Sequence, residues 1–102
     1  MNVEPEIFNR AFEIFQEFGP ERSKPIEERW MNRLPELDPK EYSNVQLKCK
    51  RIESVAFKLG EQLLSEEISS AMAEEILRGR YPCLSEKRIS QTLNQARYFA
   101  WK

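Results

Sequence analysis

Hydrophobic residues recur three and four positions apart along most of the chain, and seldom at every second position. This spacing matches the 3.6-residue repeat of an α-helix, and the small number of glycines points the same way. The pattern predicts an all-α protein, organised as a compact single-domain bundle of about five helices over residues 1–102. The predicted connections are short, which would make consecutive helices spatial neighbours.

The first helix is predicted over residues 4–18, where apolar side chains occupy one arc and polar ones, Gln16 among them, the opposite side. Gly19 and Pro20 would end it. The apolar arc contains Ile7, Phe8, Ala11, Phe12, Ile14, Phe15 and Phe18.

The second helix is short and begins with Pro25 at its first position, which suits a residue that has no backbone N–H. It would run to Leu34 and end before Pro35. Its predicted buried side carries Ile26, Trp30 and Leu34.

The third helix has the strongest start signal in the chain. Asp38 supplies an N-cap carboxylate, Pro39 stands at the first helical position, and Glu41 completes a capping box. The apolar stripe that follows predicts the central helix of the fold. That stripe contains Tyr42, Val45, Cys49, Ile52, Ala56 and Leu59.

Gly60 leaves two alternatives for the end of the third helix. The helix continues to Leu64, with Gly60 admitting a neighbouring backbone, or it breaks at Gly60. Ser65 is then expected to cap a fourth helix that Gly79 ends, with Ile68, Met72 and Ile76 on its apolar side.

Ser85 is expected to cap a fifth helix, which runs to Lys102. Its core-facing stripe would contain Ile89, Leu93, Ala96 and Ala100. A second face of this helix is predicted from Asn94, Arg97, Tyr98 and Trp101. Tyr, Trp and Arg are enriched at protein interfaces, so this face is a candidate partner-binding surface. The alternative is that its aromatic rings pack inside the monomer.

Charge is unevenly distributed, with six basic residues against one acidic residue over 78–102. These basic residues alternate with aromatic ones, as in many single-strand-binding surfaces. The candidate nucleic-acid-binding residues are Arg78, Arg80, Lys87 and Arg88. The sequence pI of about 5.6 argues against this interpretation, because nucleic-acid-binding domains are usually basic.

Four glutamates, Glu66, Glu67, Glu74 and Glu75, form two pairs eight residues apart in the predicted fourth helix. That spacing would bring both pairs to nearly the same side of one helix. Such a face is either solvated or a surface for a basic partner or a divalent cation, although the glutamate spacing of metal sites in helical bundles is absent.

The residue types available for chemistry are limited, because the chain has no histidine and only two cysteines far apart in sequence. Neither a zinc ligand set nor a catalytic histidine can be assembled from these residues. We therefore expect no metal, no cofactor and no enzymatic activity. The acidic, proline-containing N-terminal residues do not resemble a secretory signal, and no apolar run is long enough for a membrane span, so a reduced cytoplasmic setting is expected.

These features favour a non-enzymatic protein-binding module. Its size, lack of histidine and divided charge suit a small inhibitor of a partner protein, such as a bacterial immunity or antitoxin-type protein that neutralises a toxin. The alternative is a nucleic-acid-associated regulator that uses the basic and aromatic C-terminal helix. The sequence leaves the oligomeric state open.

Overall fold

The computed structural model describes residues 2–17 and 20–101. Within these ranges every regular element is helical, which confirms the predicted all-α fold. The five α-helices are α1 (Pro5–Gln16), α2 (Ile26–Arg33), α3 (Tyr42–Leu64), α4 (Ser70–Arg80) and α5 (Glu86–Trp101). Two 3₁₀ turns, Pro20–Ser23 and Pro39–Glu41, precede α2 and α3.

The chain divides into two compact units, residues 1–49 and residues 50–102. The border falls inside α3, so this helix contributes its first turns to one unit and its remaining turns to the other. A single domain over 1–102 stays a prediction. Over the described residues, no helix combines the length and the apolar character that crossing a membrane requires.

The first unit is built on contacts between α1 and α2. Trp30 of α2 is fully buried, and its indole Nε1 donates a hydrogen bond to the backbone oxygen of Ala11 in α1 at 3.0 Å. The ring of Trp30 also packs 5.5 Å from that of Tyr42, centroid to centroid. The predicted buried side of α2 is confirmed, because Ile26, Trp30 and Leu34 are all buried.

The last turn of α1 differs from the predicted pattern. Gln16, expected on the polar side, is only 6% exposed. The nearby guanidinium of Arg29 is also buried and donates to the backbone oxygen of Ile14 at 3.0 Å, so this end of α1 is in contact with α2. Phe18 and Gly19, assigned to the end of this helix from sequence, lie outside the described residues.

The start of α3 confirms Asp38 as a side-chain cap. Its Oδ1 accepts a hydrogen bond from the backbone N–H of Lys40 at 3.0 Å, at the start of the 3₁₀ turn. Glu41 does not close the predicted capping box. Its carboxylate instead accepts from the backbone N–H of Asn2 at 3.3 Å.

The apolar stripe of α3 is buried as predicted. Val45, Cys49 and Ile52 have no exposed surface, and Leu59 is 5% exposed. The helix continues through Gly60 to Leu64, which decides between the two alternatives left by the sequence.

The end of α3 and the start of α4 correct the predicted connection. Ser65 follows the last turn of α3, where its hydroxyl donates to the backbone oxygen of Gln62 at 3.2 Å. The cap of α4 is Ser69, whose Oγ accepts from the N–H of Met72 at 3.2 Å. Both serines suit an N-cap by type, so residue type alone does not show which of them begins α4.

The buried side of α4 also differs from the predicted one. Ala73 and Leu77 are fully buried, whereas Met72 and Ile76 are 50% and 39% exposed. Gly79 does not end the helix, which continues to Arg80. The larger side chains suggested the wrong buried side because one of the two buried positions is a small residue, Ala73, which contributes little to a hydrophobic pattern.

Candidate functional site

The rotation of α5 is fixed by its cap and its buried stripe. Ser85 Oγ accepts from the backbone N–H of Arg88 at 3.2 Å, which confirms the predicted cap. Ile89, Leu93 and Ala96 are buried, as expected, and Thr92 joins them. This arrangement leaves the opposite side of the helix to solvent.

The close contact between α5 and α3 depends on Gly60. A Cβ atom at this position would lie 2.8 Å from both the carbonyl carbon and oxygen of Ala96, and 3.0 Å from the backbone nitrogen of Arg97. Real Cβ atoms do not tolerate such contacts with backbone. The glycine therefore lets the last turns of α5 lie directly against α3, as the sequence suggested for a neighbouring helix.

The four residues predicted as a partner-binding surface meet at one open cavity of about 370 Å³, here called the aromatic cavity. It is lined by Leu64, Asn94, Arg97, Tyr98 and Trp101. Tyr98 is 51% exposed and Trp101 72% exposed, so neither ring is packed inside the unit. The two rings belong to a wider aromatic edge, because Tyr98 packs edge-on against Phe99 with centroids 5.7 Å apart.

Leu64 is the lining residue that sequence reasoning did not assign to this site. It is the last residue of α3 and is itself partly exposed. Its place next to α5 follows from α3 continuing past Gly60, so only the correct choice between the two alternatives for that helix would have revealed it.

A second open cavity, of about 380 Å³, lies beside the first and is here called the acidic cavity. Its lining comprises Leu63, Glu66, Glu67, Ile68, Ser69, Ser70, Met72 and Arg97. The predicted acidic face is therefore corrected, because Glu66 and Glu67 lie in the turn before α4 and not on the helix that carries Glu74 and Glu75. The four carboxylates do not share one helical face.

Arg97 lines the aromatic cavity, the acidic cavity and a smaller cleft that also contains Glu74 and Ser90. Its side chain is exposed, and it forms no salt bridge with any residue of 2–17 or 20–101. Other arginines are paired at short distances, for example Arg33 with Glu17 at 2.6 Å.

The predicted nucleic-acid-binding residues do not form one exposed patch. Arg88 is 3% exposed, because it lies one turn before buried Thr92, and its guanidinium donates to Gln91. This burial removes it from any surface that a phosphate can reach. Arg80 and Lys87 are exposed, and Lys102 lies outside the described residues.

Arg78, the remaining member of that set, is held by a carboxylate. Its Nε and Nη2 atoms donate to the two carboxylate oxygens of Glu86 at 2.8 and 2.7 Å. This fork-shaped pair raises the pKa of Arg78 and lowers the pKa of Glu86. The positive charge is thus largely compensated within the chain.

Among residues 2–17 and 20–101, no three His, Cys, Asp or Glu side chains are grouped so that they could hold a metal ion. Cys49 is buried and Cys83 half-buried, both as thiols. Comparison of the chain with protein-family models, with curated proteins and with solved structures gives no match.

Proposed function

We propose that the protein is a non-enzymatic binding module that recognises another protein through the aromatic cavity. The observation that carries the proposal is the convergence of Asn94, Arg97, Tyr98 and Trp101 on one open cavity, with Trp101 72% exposed. A tryptophan exposed to this degree costs solvation free energy unless a partner covers it, and Trp, Tyr and Arg are the residues that most often dominate binding energy.

The position of the surface on an anchored helix supports the proposal. The Ser85 cap and the close Gly60–Ala96 contact hold α5 at both ends. A surface carried by a fixed helix loses little conformational entropy on binding, so more of the contact energy contributes to affinity.

Within this class we propose a small cytoplasmic inhibitor of a partner protein, such as a bacterial immunity or antitoxin-type protein. The support is the presence of both charge signs where the acidic cavity and the aromatic cavity share Arg97, together with the two cysteines present as thiols. The nucleic-acid alternative has weaker support, because buried Arg88 and paired Arg78 leave few exposed cations in the predicted set.

The test compares three forms of the full chain, namely the wild type, a variant of the aromatic cavity and a control variant, by the proteins that each one captures and the affinity with which it binds them. Tyr98→Ala combined with Trp101→Ala should leave the helical circular-dichroism signal and melting temperature unchanged, while partner affinity falls by about 2 kcal/mol or more. A matched control is Met31→Ala with Leu47→Ala, which removes two exposed apolar side chains elsewhere. The control should retain every partner that the wild type captures.

Two outcomes would contradict the proposed function. One is a double variant that captures the same proteins with the same affinity as the wild type. The other is capture of nucleic acid that weakens steeply with salt and depends on Arg80 and Lys87, which would favour the alternative.

A further inference from the structure

The aromatic and acidic cavities lie on either side of Arg97. Among the described residues, Arg97 is the one that lines both of them. Along this surface the chemistry therefore changes in a fixed order, from the carboxylates of Glu66 and Glu67, through one guanidinium, to the apolar wall of Leu64 and Trp101.

Arg97 is the central charge of this surface and has no salt-bridge partner among the described residues. A guanidinium is best satisfied by a carboxylate that accepts two parallel hydrogen bonds, as Glu86 does for Arg78. Glu66, Glu67 and Glu74 share cavities with Arg97, but none lies within salt-bridge distance of it. The donors of Arg97 are therefore available to an external anion.

From these contacts, and resting on the proposed function, we infer the chemistry of the partner. It presents a segment with three groups in order: a basic side chain opposite Glu66 and Glu67, a carboxylate on Arg97, and a large apolar side chain in the aromatic cavity. Such an arrangement places a group of opposite charge against Arg97 and against the Glu66–Glu67 pair, and it covers Trp101 at the same time.

A second copy of the chain fits this surface poorly. A two-fold axis through Arg97 would place two guanidinium groups against each other. An axis between Arg97 and the Glu66–Glu67 pair would match the charges but leave both aromatic cavities outside the shared contact. The order of groups is therefore complementary to a different protein and not to itself.

The backbone that carries these groups is held in place. The nitrogen of Arg97 lies against Gly60 of α3, and the N–H of Glu67 donates to the backbone oxygen of Gln62 at 2.9 Å. Fixed spacing between the charges allows the surface to select partners by the order of their groups, because a segment with the reverse order would set an apolar side chain against the Glu66 and Glu67 carboxylates and a charged one in the aromatic cavity.

The inference can be tested by selecting a random peptide library, displayed on phage, against the immobilised full chain. Peptides that bind the wild type should carry an acidic residue between a basic residue and a large apolar one. Selection against Arg97→Glu should replace that acidic residue with Lys or Arg. Each class of peptide should bind its own form of the protein at least about tenfold more tightly than the other form.

Two further variants complete the design. Glu66→Lys combined with Glu67→Lys should reverse the charge preferred at the basic end of the peptide and leave the central acidic residue unchanged. Arg80→Glu is the matched control, because Arg80 is an exposed arginine that lines neither cavity. It should select the same peptides as the wild type.

The outcomes separate this inference from the proposed function. Peptides that lose binding on Trp101→Ala but bind Arg97→Glu as well as the wild type would overturn the inference alone. If no peptide is enriched, or if Trp101→Ala binds the selected peptides unchanged, both proposals fail. A concentration-dependent dimer in sedimentation analysis, abolished by Arg97→Glu, would show that the occupant is a second copy and would also overturn the inference.

Discussion

At the scale of single residues, Glu66 stands in a backbone conformation that usually belongs to glycine. Its φ is +59°, and the N–H groups of Glu66 and Glu67 donate to the backbone oxygens of Leu63 and Gln62. These two bonds form a Schellman motif, in which the left-handed residue is most often glycine because a Cβ is disfavoured there.

Glu66→Gly should therefore raise the free energy of unfolding by about 0.5 to 1 kcal/mol, since the relieved backbone strain exceeds the added flexibility of the unfolded chain. Urea denaturation at neutral pH measures the change. The control is Glu67→Gly, at a position whose φ is not left-handed, which should not stabilise the protein. Equal effects at both positions would argue against strain at Glu66.

Two serines near the start of α4 differ in their roles. Ser69 caps the helix through the N–H of Met72, whereas the hydroxyl of Ser65 donates to an α3 carbonyl. Ser69→Ala should lower the free energy of unfolding by about 1 kcal/mol, and Ser65→Ala by clearly less. Thermal denaturation of the two variants compares them directly. A larger loss at Ser65 would restore the cap predicted from the sequence.

At the scale of helices, Gly60 and Gly79 both lie inside a helix, but they differ in the space available for an added side chain. Alanine favours a helix over glycine by about 1 kcal/mol, but a Cβ at Gly60 would meet the backbone of Ala96 at 2.8 Å. Gly60→Ala should therefore destabilise the protein by about 1 to 3 kcal/mol, because α3 and α5 must move apart.

Gly79, inside α4, has open space where a side chain would begin, because a Cβ there would meet no neighbouring atom within 4 Å. Gly79→Ala should therefore stabilise the protein by about 0.5 to 1 kcal/mol. The same urea titration measures both variants. Stabilisation by both alanines would show that α3 and α5 do not approach closely at Gly60.

Helix existence could be predicted from the sequence because the apolar repeat of α3 is long and its start carries a proline and a capping aspartate. The buried side of α4 could not, because Met72 and Ile76 outweigh Ala73 in any hydrophobic pattern, yet Ala73 is fully buried and the two larger side chains are exposed. Close packing inside a protein can favour a small side chain at a position such as Ala73, and a sequence pattern does not report how much space is available there.

In the candidate site, too, some features could be predicted from the sequence and others could not. The exposed face of α5 was predictable because Tyr98 and Trp101 exceed what one buried stripe can hold. Two parts of the site depended on tertiary structure, namely the contribution of Leu64 from α3 and the burial of Arg88. An arginine is normally placed in solvent by its charge, and the folded structure is needed to show that Arg88 is buried and donates to Gln91.

At the scale of the whole molecule, ion pairs link stability to pH, and three of them lie within the part of the chain that the structure describes. Arg33 lowers the pKa of Glu17 through a hydrogen bond of 2.6 Å, Arg10 lowers that of Glu36, and Arg78 lowers that of Glu86. Each carboxylate thus releases its proton more readily in the folded chain than at the ordinary Glu pKa of about 4.3. Their contribution to stability is complete above that pH and is lost as the pH falls through the lowered folded values.

Stability should therefore decrease as the solution is acidified below about pH 5, because the unfolded chain then binds more protons than the folded one. Glu17 should carry the largest share of the three, since it is the least exposed and also lies near the charge of Arg29. The exposed pairs contribute little and are screened by salt.

Urea denaturation gives the free energy of unfolding at neutral and at acidic pH. Glu17→Gln should reduce the difference between these two free energies. The matched control, Glu86→Gln, should reduce it less, and at high salt not at all. An equal effect of the two substitutions would contradict the role of burial at Glu17.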